Sequence, residues 1–158
     1  MSRSASRRPT RAKSERSFHI VASRFNSRYV DGLVAHATKE LRALAPATTI
    51  SIHRVSGAFE IPVVVRELAL QDNADAIIAC GVILKGETDH ARNLSRSVCD
   101  ALQRIAVERG VPVINAVLSF DDENQARKRC LGEKINRGRE AARAALDIAG
   151  TMTRLRRK

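Results

Sequence analysis

Short β-type runs and helix-period stretches alternate along this chain, and the alternation predicts an α/β fold. The β-type runs are rich in Val, Ile and Thr and lie at Ser17–Ser23, Thr48–Val55, Ala76–Val82 and Val111–Leu118. Strand–helix–strand units of this kind are right-handed and place helices on both faces of a parallel sheet. The predicted architecture is therefore a three-layer α/β/α sandwich with a four-stranded parallel sheet.

Two kinds of strand pattern indicate positions within that sheet. Ile77–Cys80 and Val113–Ile114 are continuous apolar runs, which are typical of strands buried on both faces. The segment Thr49–Val55 alternates instead, with Ile50 and Ile52 on one face. We therefore expect it to form an edge strand.

Apolar residues spaced three and four apart predict helices between the strands. Pro62 suits the first turn of a short helix, because a missing N–H is tolerated there. The predicted helices run through Val30–Leu44, Leu94–Ile105, Asp122–Arg129 and Ala141–Met152. The short helix that contains Pro62 is expected to begin near Ala58.

The length and charge distribution predict one domain with two basic tails. A chain of 158 residues fits a single domain, which we place at residues 17–153. Of the net charge of +11, residues 1–16 carry +5 and residues 154–158 carry +4, which leaves +2 for the domain. We expect the tail at 1–16 to be disordered. Nucleic acid is not an expected partner, apart from non-specific contact with the tails.

Several common classes of protein are not indicated. Cys80, Cys99 and Cys130 are far apart and form no C-x-x-C motif, which argues against a disulfide scaffold or zinc site and for a reducing, cytoplasmic location. No apolar run is long enough to span a bilayer, so we expect no membrane association. The motifs of P-loop NTPases, nicotinamide enzymes, zinc hydrolases and serine hydrolases are also missing. These absences lower the odds of all four enzyme classes.

Ligands of open parallel sheets bind beyond the carboxyl ends of the strands, and the first such end carries an aromatic residue. Phe25 follows the first predicted strand, in the stretch Ser23-Arg24-Phe25-Asn26. Its ring could stack on a flat heterocycle or serve as a hydrophobic plug at the top of the sheet. The residue pattern leaves both interpretations open.

The second strand end carries Ser56-Gly57-Ala58-Phe59-Glu60-Ile61-Pro62. Gly57 permits a tight backbone approach, and the helix that follows offers free N–H groups. Glu60 could accept hydrogen bonds from the hydroxyls of a polyol, or it could only complement the helix dipole. Both interpretations fit equally.

The third strand end combines an anion-binding pattern with a histidine. Lys85 and Gly86 separate a buried strand from a helix, and such an entry suits a phosphate group. Thr88 can donate a hydroxyl and cap the helix, and His90 in the first turn can exchange a proton near neutral pH. The alternative is that His90 is merely an exposed helix residue. Further basic runs lie at Gln125–Arg129 and Asn136–Glu140. They are weaker indications of an anion-binding site, because such runs often form solvent-exposed faces of helices.

Together these stretches resemble the lumazine synthase family. The matching signatures are Arg24-Phe25-Asn26, Gly57-Ala58-Phe59-Glu60-Ile61-Pro62 and Gly86-x-Thr88-x-His90, followed by Gln125-Ala126, Arg129 and Asn136-Arg137-Gly138. Their order and spacing match the family from about Phe18 to Met152. The resemblance implies a flavodoxin-like fold and a transferase that joins 5-amino-6-(D-ribitylamino)uracil to 3,4-dihydroxy-2-butanone 4-phosphate in riboflavin biosynthesis. It also implies that neither a cofactor nor a metal is needed.

The resemblance also implies roles for individual residues. His90 would transfer protons, and Arg129 would bind phosphate together with Gly86, Glu87 and Thr88. The other substrate-binding positions would be Phe25, Asn26, Gly57, Ala58, Phe59, Glu60, Val82, Ile83, Leu84, Asn115 and Arg137.

The family further implies a homo-oligomer, a pentamer or a multiple of pentamers, with active sites at subunit interfaces. The positions of Arg129 and Asn115 would reach the site from a neighbouring subunit. This chain departs from the family at Asn115, where an aromatic residue is common, and at Ala91 and Arg92, where an aromatic residue and Asp usually follow the histidine. These departures motivate an alternative, a paralogue that binds a flavin or lumazine with little or no turnover. A third hypothesis is an assembly that binds polyanions through its basic tails.

Overall fold

The computed structural model describes residues 8–9 and 15–157, and four strands alternate with helices in this part of the chain. The strands are β1 Arg16–Ser23, β2 Thr48–Val55, β3 Ala76–Leu84 and β4 Val113–Phe120. The helices are α1 Ser27–Leu44, α2 Ile61–Leu70, α3 His90–Arg109, α4 Glu123–Cys130 and α5 Arg137–Arg156, and a short 3-10 turn at Ala58–Glu60 precedes α2. Pro62 lies in the first turn of α2. The predicted alternation is confirmed.

The four strands form one parallel sheet in the order β2-β1-β3-β4. This order is that of a flavodoxin-like sheet. β2 lies at an edge, as predicted, and β3 is buried from Ala76 to Ile83. The prediction of a fully buried strand at Val113–Ile114 is wrong, because β4 is the other edge strand and both residues are only half-buried.

Helices cover both faces of the sheet and enclose two apolar cores. Helices α1, α4 and α5 pack on one face, around side chains such as Phe18 and Leu33. The 3-10 turn, α2 and α3 pack on the other face, around Val21, Ile61 and Val98. This arrangement confirms the three-layer sandwich.

The Asn136-Arg137-Gly138 motif holds the first of these layers together. The buried Asn136 side chain accepts hydrogen bonds from the N–H groups of Gly138 and Arg139, at 2.9 and 3.2 Å, and thus caps α5. A Cβ at residue 138 would lie 2.3 Å from the carbonyl oxygen of Leu33 in α1. Glycine therefore permits the close approach of α1 and α5.

The first strand and the last helix extend slightly beyond residues 17–153. β1 begins at Arg16, whose Nη1 donates to Asp75 and Thr153 at 3.2 and 2.6 Å. At the other end α5 continues to Arg156, which donates to the Gly110 carbonyl at 2.6 Å. Most of the N-terminal tail predicted to be disordered lies outside the described residues. None of the helices in residues 8–9 and 15–157 has the length and apolar character needed to cross a bilayer.

Two histidines on neighbouring strands form a hydrogen-bonded pair. His19 Nδ1 lies 3.0 Å from His53 Nε2, and His19 Nε2 lies 3.3 Å from the amide oxygen of Asn73. Because that oxygen only accepts, His19 donates to it from Nε2, and one hydrogen lies between His19 Nδ1 and His53 Nε2. Burial lowers the pKa of His53, and the repulsion that a protonated His19 would exert lowers it further.

We expect this pair to make the fold less stable as the pH falls. Below the ordinary pKa of 6.5, the unfolded chain takes up a proton that the folded His53, with its lowered pKa, does not. The free energy of unfolding therefore falls as the pH drops through 6.5 toward the folded pKa. Thermal midpoints between about pH 8 and about pH 5 should decrease less in His53→Gln, which keeps a donor, than in the wild type. Equal slopes for the two proteins would contradict this expectation.

Candidate active site

A cavity of about 660 Å³ lies at the carboxyl ends of β1, β2 and β3, beside the start of α3. Ten of the residues predicted to form the site line it, and they come from all of the first three strand ends. These residues are Phe25, Asn26, Gly57, Ala58, Phe59, Glu60, Val82, Ile83, Leu84 and His90. The sheet topology thus brings together stretches that are up to 65 residues apart in the chain.

Two phenylalanine rings on the cavity wall are exposed to solvent. Phe25 is 72% exposed and Phe59 is 68% exposed. The plug interpretation of Phe25 is wrong, because a plug would be buried in the top of the sheet. Both rings instead offer apolar surface to whatever occupies the cavity.

Asn26 positions the loop that carries Phe25. It adopts the left-handed conformation with φ 56° and ψ 40°, which asparagine tolerates better than most residues. Its Nδ2 donates to the Val82 carbonyl at 2.7 Å, and the Phe25 N–H donates to the Ser56 carbonyl at 3.1 Å. The ends of β1, β2 and β3 are therefore tied to one another around the cavity.

Glu60 closes the turn that precedes α2. Its Oε2 accepts from the Gly57 N–H at 3.0 Å, and a Cβ at residue 57 would lie 3.2 Å from the same oxygen. This contact confirms a helix-end role for Glu60. Its other carboxylate oxygen makes no hydrogen bond within the described residues, so the cavity also contains an acceptor.

His90 is the first residue of α3, and its exposed side chain lines the cavity. Its backbone N–H donates to Thr88 Oγ1 at a long 3.4 Å. Thr88 is not the N-cap residue that we predicted; Asp89 holds that position, without a side-chain cap bond. The imidazole is therefore open to a ligand, beside the exposed turn Gly86–Asp89.

The predicted phosphate-binding residues of the turn do not line this cavity. Gly86 and Glu87 are exposed. A Cβ at residue 86 would meet no atom within 4 Å, so the packing of the described residues does not require glycine there. Thr88 lines a second cavity, of about 560 Å³, on the other side of the start of α3.

Three further predicted site residues lie away from the cavity. Arg129 is half-buried on α4, and Arg137 begins α5, where its guanidinium contacts Glu140. Asn115 is exposed on the edge strand β4, and its Oδ1 accepts from the Val117 N–H at 3.0 Å. The structure of one chain does not bring these three residues to the cavity.

A family model described as 6,7-dimethyl-8-ribityllumazine synthase matches residues 15–153 of this chain. The chain belongs to this family. Relatives with the same description include a protein of Xanthomonas euvesicatoria pv. vesicatoria (strain 85-10), which is 36% identical over 146 residues, 92% of each chain. A protein of Stenotrophomonas maltophilia (strain R551-3) is 36% identical over 87% of this chain and 90% of its own length. A third, from Xanthomonas oryzae pv. oryzae (strain PXO99A), is 37% identical over 85% of this chain and 88% of its own.

Sequence reasoning missed three residues that line the cavity of this lumazine synthase family member. They are Ser23, Ala91 and Leu94. Leu94 lies one turn after His90 on the same face of α3, so helical spacing could have found it. Arg92, one of the departures from the family, lines the second cavity and not the one that contains His90.

Proposed function

We propose that the protein is an active 6,7-dimethyl-8-ribityllumazine synthase. It would condense 5-amino-6-(D-ribitylamino)uracil with 3,4-dihydroxy-2-butanone 4-phosphate and release inorganic phosphate and water. The observation that carries this proposal is the convergence of Phe25, Gly57–Glu60, Val82–Leu84 and His90 on one cavity, in a chain that belongs to the family.

The cavity offers the contacts that a ribitylated pyrimidine needs. The exposed ring of Phe25 supplies a flat apolar face for the heterocycle. The main chain at the end of β3 can bond to the heterocycle's polar edge. The ribityl hydroxyls would lie along Gly57–Glu60, where the free oxygen of Glu60 accepts.

His90 and the turn before it would serve the second substrate. Its phosphate group would approach Gly86, where there is open space, and the free N–H groups at the start of α3 would donate to it. Imine formation, loss of phosphate, ring closure and dehydration each move protons, and His90 is placed to transfer them. Holding the two substrates in register supplies much of the remaining acceleration. The reaction needs no oxidant, reductant or metal, so we propose catalysis without a cofactor.

We also propose that the active unit is a homo-oligomer, a pentamer or a multiple of pentamers, with its sites at subunit interfaces. Within the described residues, the cavity that contains His90 is lined by no Lys or Arg, although the substrate is a phosphate ester. The 20-residue helix α3 buries only Val98 and Leu102, and Val63 and Val107 are 67% and 72% exposed on the same layer. A second copy packed there would cover apolar surface and could deliver Arg129 and Asn115.

The three cysteines are free, and burial raises the pKa of the Cys80 and Cys130 thiols to about 12. Unreactive buried thiols suit a reducing compartment. We propose that the reaction takes place in the cytoplasm.

The proposed function is tested by turnover of the full chain with both substrates. Lumazine should form well above the spontaneous rate, with one phosphate released per lumazine. A folded oligomer that forms lumazine no faster than the protein-free mixture would refute the proposal. If such an oligomer still bound flavin or lumazine, the binding paralogue would become the best account.

Phe25→Ala separates a binding role from a packing role. Because Phe25 is 72% exposed, its loss should change the free energy of unfolding by less than about 0.5 kcal/mol. The KM for the pyrimidine should rise roughly three- to tenfold through lost stacking. For comparison, Phe18→Ala in the buried core should cost about 3–5 kcal/mol of stability. An unchanged KM in Phe25→Ala would show that the ring does not contact the heterocycle.

A further inference from the structure

A buried serine lies deep in the cavity that contains His90. Ser23, the last residue of β1, is 1% exposed and belongs to the lining of this cavity. Because side chains alternate between the two faces of a strand, Ser23 lies on the same face of the sheet as Val21, the face that α2 and α3 cover. Its side chain is therefore placed where the sheet meets the helices that form the cavity wall.

The Ser23 hydroxyl makes no hydrogen bond with any described residue. The nearby Asn26 differs in this respect, because its Nδ2 donates to a main-chain carbonyl at 2.7 Å. Polar atoms of Arg16, Thr38 and Thr48 are also unpartnered in the described chain, but these atoms are sealed from solvent. The Ser23 hydroxyl is not sealed, since it opens into a cavity that can hold a ligand.

The Ser23 hydroxyl lies among apolar neighbours. Gly81 of β3 adjoins it, and a Cβ at that position would lie 3.4 Å from Ser23 Oγ. The same Cβ would lie 3.3 Å from side-chain atoms of Ile61 and Val117, so both of these apolar side chains are near the hydroxyl. Removing a hydroxyl from water without giving it a partner costs free energy, and alanine would fill the same place without that cost. A residue that is unfavourable for its surroundings in this way commonly serves a function.

We propose that the Ser23 hydroxyl donates a hydrogen bond to a carbonyl oxygen of the pyrimidine ring and thereby contributes to the choice of substrate. The identity of this ligand rests on the proposed function. Ser23 precedes Phe25 by two residues, at most about 7 Å along the chain, and a pyrimidine ring with its substituents spans that distance. A ring that stacks on Phe25 can therefore direct one edge to the hydroxyl.

The balance of donors and acceptors favours this pairing. The ring of 5-amino-6-(D-ribitylamino)uracil carries two carbonyl groups, and each needs a donor when the ring leaves water. Asn26 Nδ2 already donates to the Val82 carbonyl, and His90 has the role of proton transfer in the proposed function. Among the side chains of the cavity wall in the described chain, Ser23 is the remaining donor. A pyrimidine bound without this hydrogen bond would leave the Ser23 hydroxyl unpaired.

The test compares the steady-state kinetics of the full-length oligomer with those of Ser23→Ala. The KM for 5-amino-6-(D-ribitylamino)uracil should rise about five- to fiftyfold, as expected when a buried ligand group loses its hydrogen bond. Because the bond would form equally in the bound substrate and in the transition state, kcat should stay within about threefold. The KM for the four-carbon phosphate should stay within about twofold. A KM for the pyrimidine that also stays within about twofold would overturn the proposal.

Ser17→Ala is the matched control. Ser17 is half-buried on the same strand and the same face of the sheet, at the amino end of β1, about 20 Å from Ser23. Its loss should leave both KM values unchanged. Ser23→Cys keeps a side chain of similar size but offers a weaker donor, so it should raise the KM for the pyrimidine as alanine does. A wild-type KM in Ser23→Cys would show that the side chain only fills space, which would overturn the proposal.

Thermal stability separates a binding role of Ser23 from a structural role. Without ligand, Ser23→Ala should melt at or slightly above the wild-type temperature, because an unpaired buried hydroxyl is removed. The same concentration of the pyrimidine should then raise the Tm of the wild type more than that of the variant. A lower Tm in the ligand-free variant, or equal rises in Tm with the pyrimidine, would contradict the proposal.

Calorimetric titration with the pyrimidine alone distinguishes a failure of this proposal from a failure of the proposed function. If the wild type binds the pyrimidine but forms no lumazine above the spontaneous rate, the synthase is refuted, and a weaker Kd in Ser23→Ala still supports the hydrogen bond. If the wild type forms lumazine and Ser23→Ala keeps both the KM and the Kd for the pyrimidine, the synthase stands and the hydrogen bond is overturned.

Discussion

Replacing His90 with alanine is expected to lower the kcat for lumazine formation roughly 10²- to 10⁴-fold, the usual contribution of a positioned proton-transfer group. His90 is the first residue of α3 and lines the cavity in which the proposed reaction would take place. The KM values should change much less, because Phe25 and Gly57–Glu60 would still hold the pyrimidine. Some catalysis above the spontaneous rate should remain, since the site would still align the two substrates.

His36→Ala is the matched control for this variant. His36 lies on α1, on the other face of the sheet, with its Nε2 4.0 Å from a Glu133 carboxylate oxygen. Its loss should leave kcat unchanged. A kcat within threefold of the wild type in His90→Ala would show that His90 is only an exposed helix residue.

Mixed oligomers of His90→Ala and Arg129→Ala chains are expected to regain activity that neither variant has alone. Arg129 lies on α4, in the layer opposite the cavity, so it would serve the cavity of a neighbouring copy. Arg129→Ala alone should lower kcat/KM at least about tenfold, through the loss of a charged contact with phosphate. In an equal, random mixture, about a quarter of the interfaces would pair an intact His90 with an intact Arg129.

The control is a mixture of His90→Ala and wild-type chains, in which every chain keeps Arg129. It gives the activity expected when the chains with an intact His90 are merely diluted. Activity near one quarter of the wild type in the double-variant mixture would place Arg129 in the neighbour's site. If the mixture is no more active than the average of the separate variants, both residues serve the site of their own chain, or Arg129 serves none.

The sequence predicts the sheet better than the site, because the sheet depends on local patterns. The Val and Ile runs define β3, and the alternation in Thr49–Val55 correctly places β2 at an edge. β4 defeats the same rule, since its apolar run at Val113–Ile114 lies on the opposite edge. An apolar run indicates that the side chains of a strand are to be buried. It does not show whether the same chain or another copy buries them.

Residues that follow strand ends line the cavity as expected, whereas sequence reasoning fails where the direction of a side chain decides which cavity it lines. Phe25 and Glu60 reach the cavity because the carboxyl ends of parallel strands meet. Thr88 lies only two residues from His90 yet lines the other cavity, because the turn before α3 separates the two side chains. Only the exposed fraction of Phe25 distinguishes the plug interpretation from the stacking interpretation. That fraction depends on tertiary packing, which a local sequence pattern does not encode.

The cavity formed by Phe25, Gly57–Glu60, Val82–Leu84 and His90 is expected to bind the pyrimidine. A crystal structure of the oligomer with 5-amino-6-(D-ribitylamino)uracil tests it most directly. We expect the heterocycle to lie against the Phe25 ring, the ribityl chain to lie along Gly57–Glu60, and His90 to lie beside the reacting amine of the pyrimidine. An empty cavity at a saturating concentration of the pyrimidine, or the pyrimidine bound elsewhere on the fold, would contradict it.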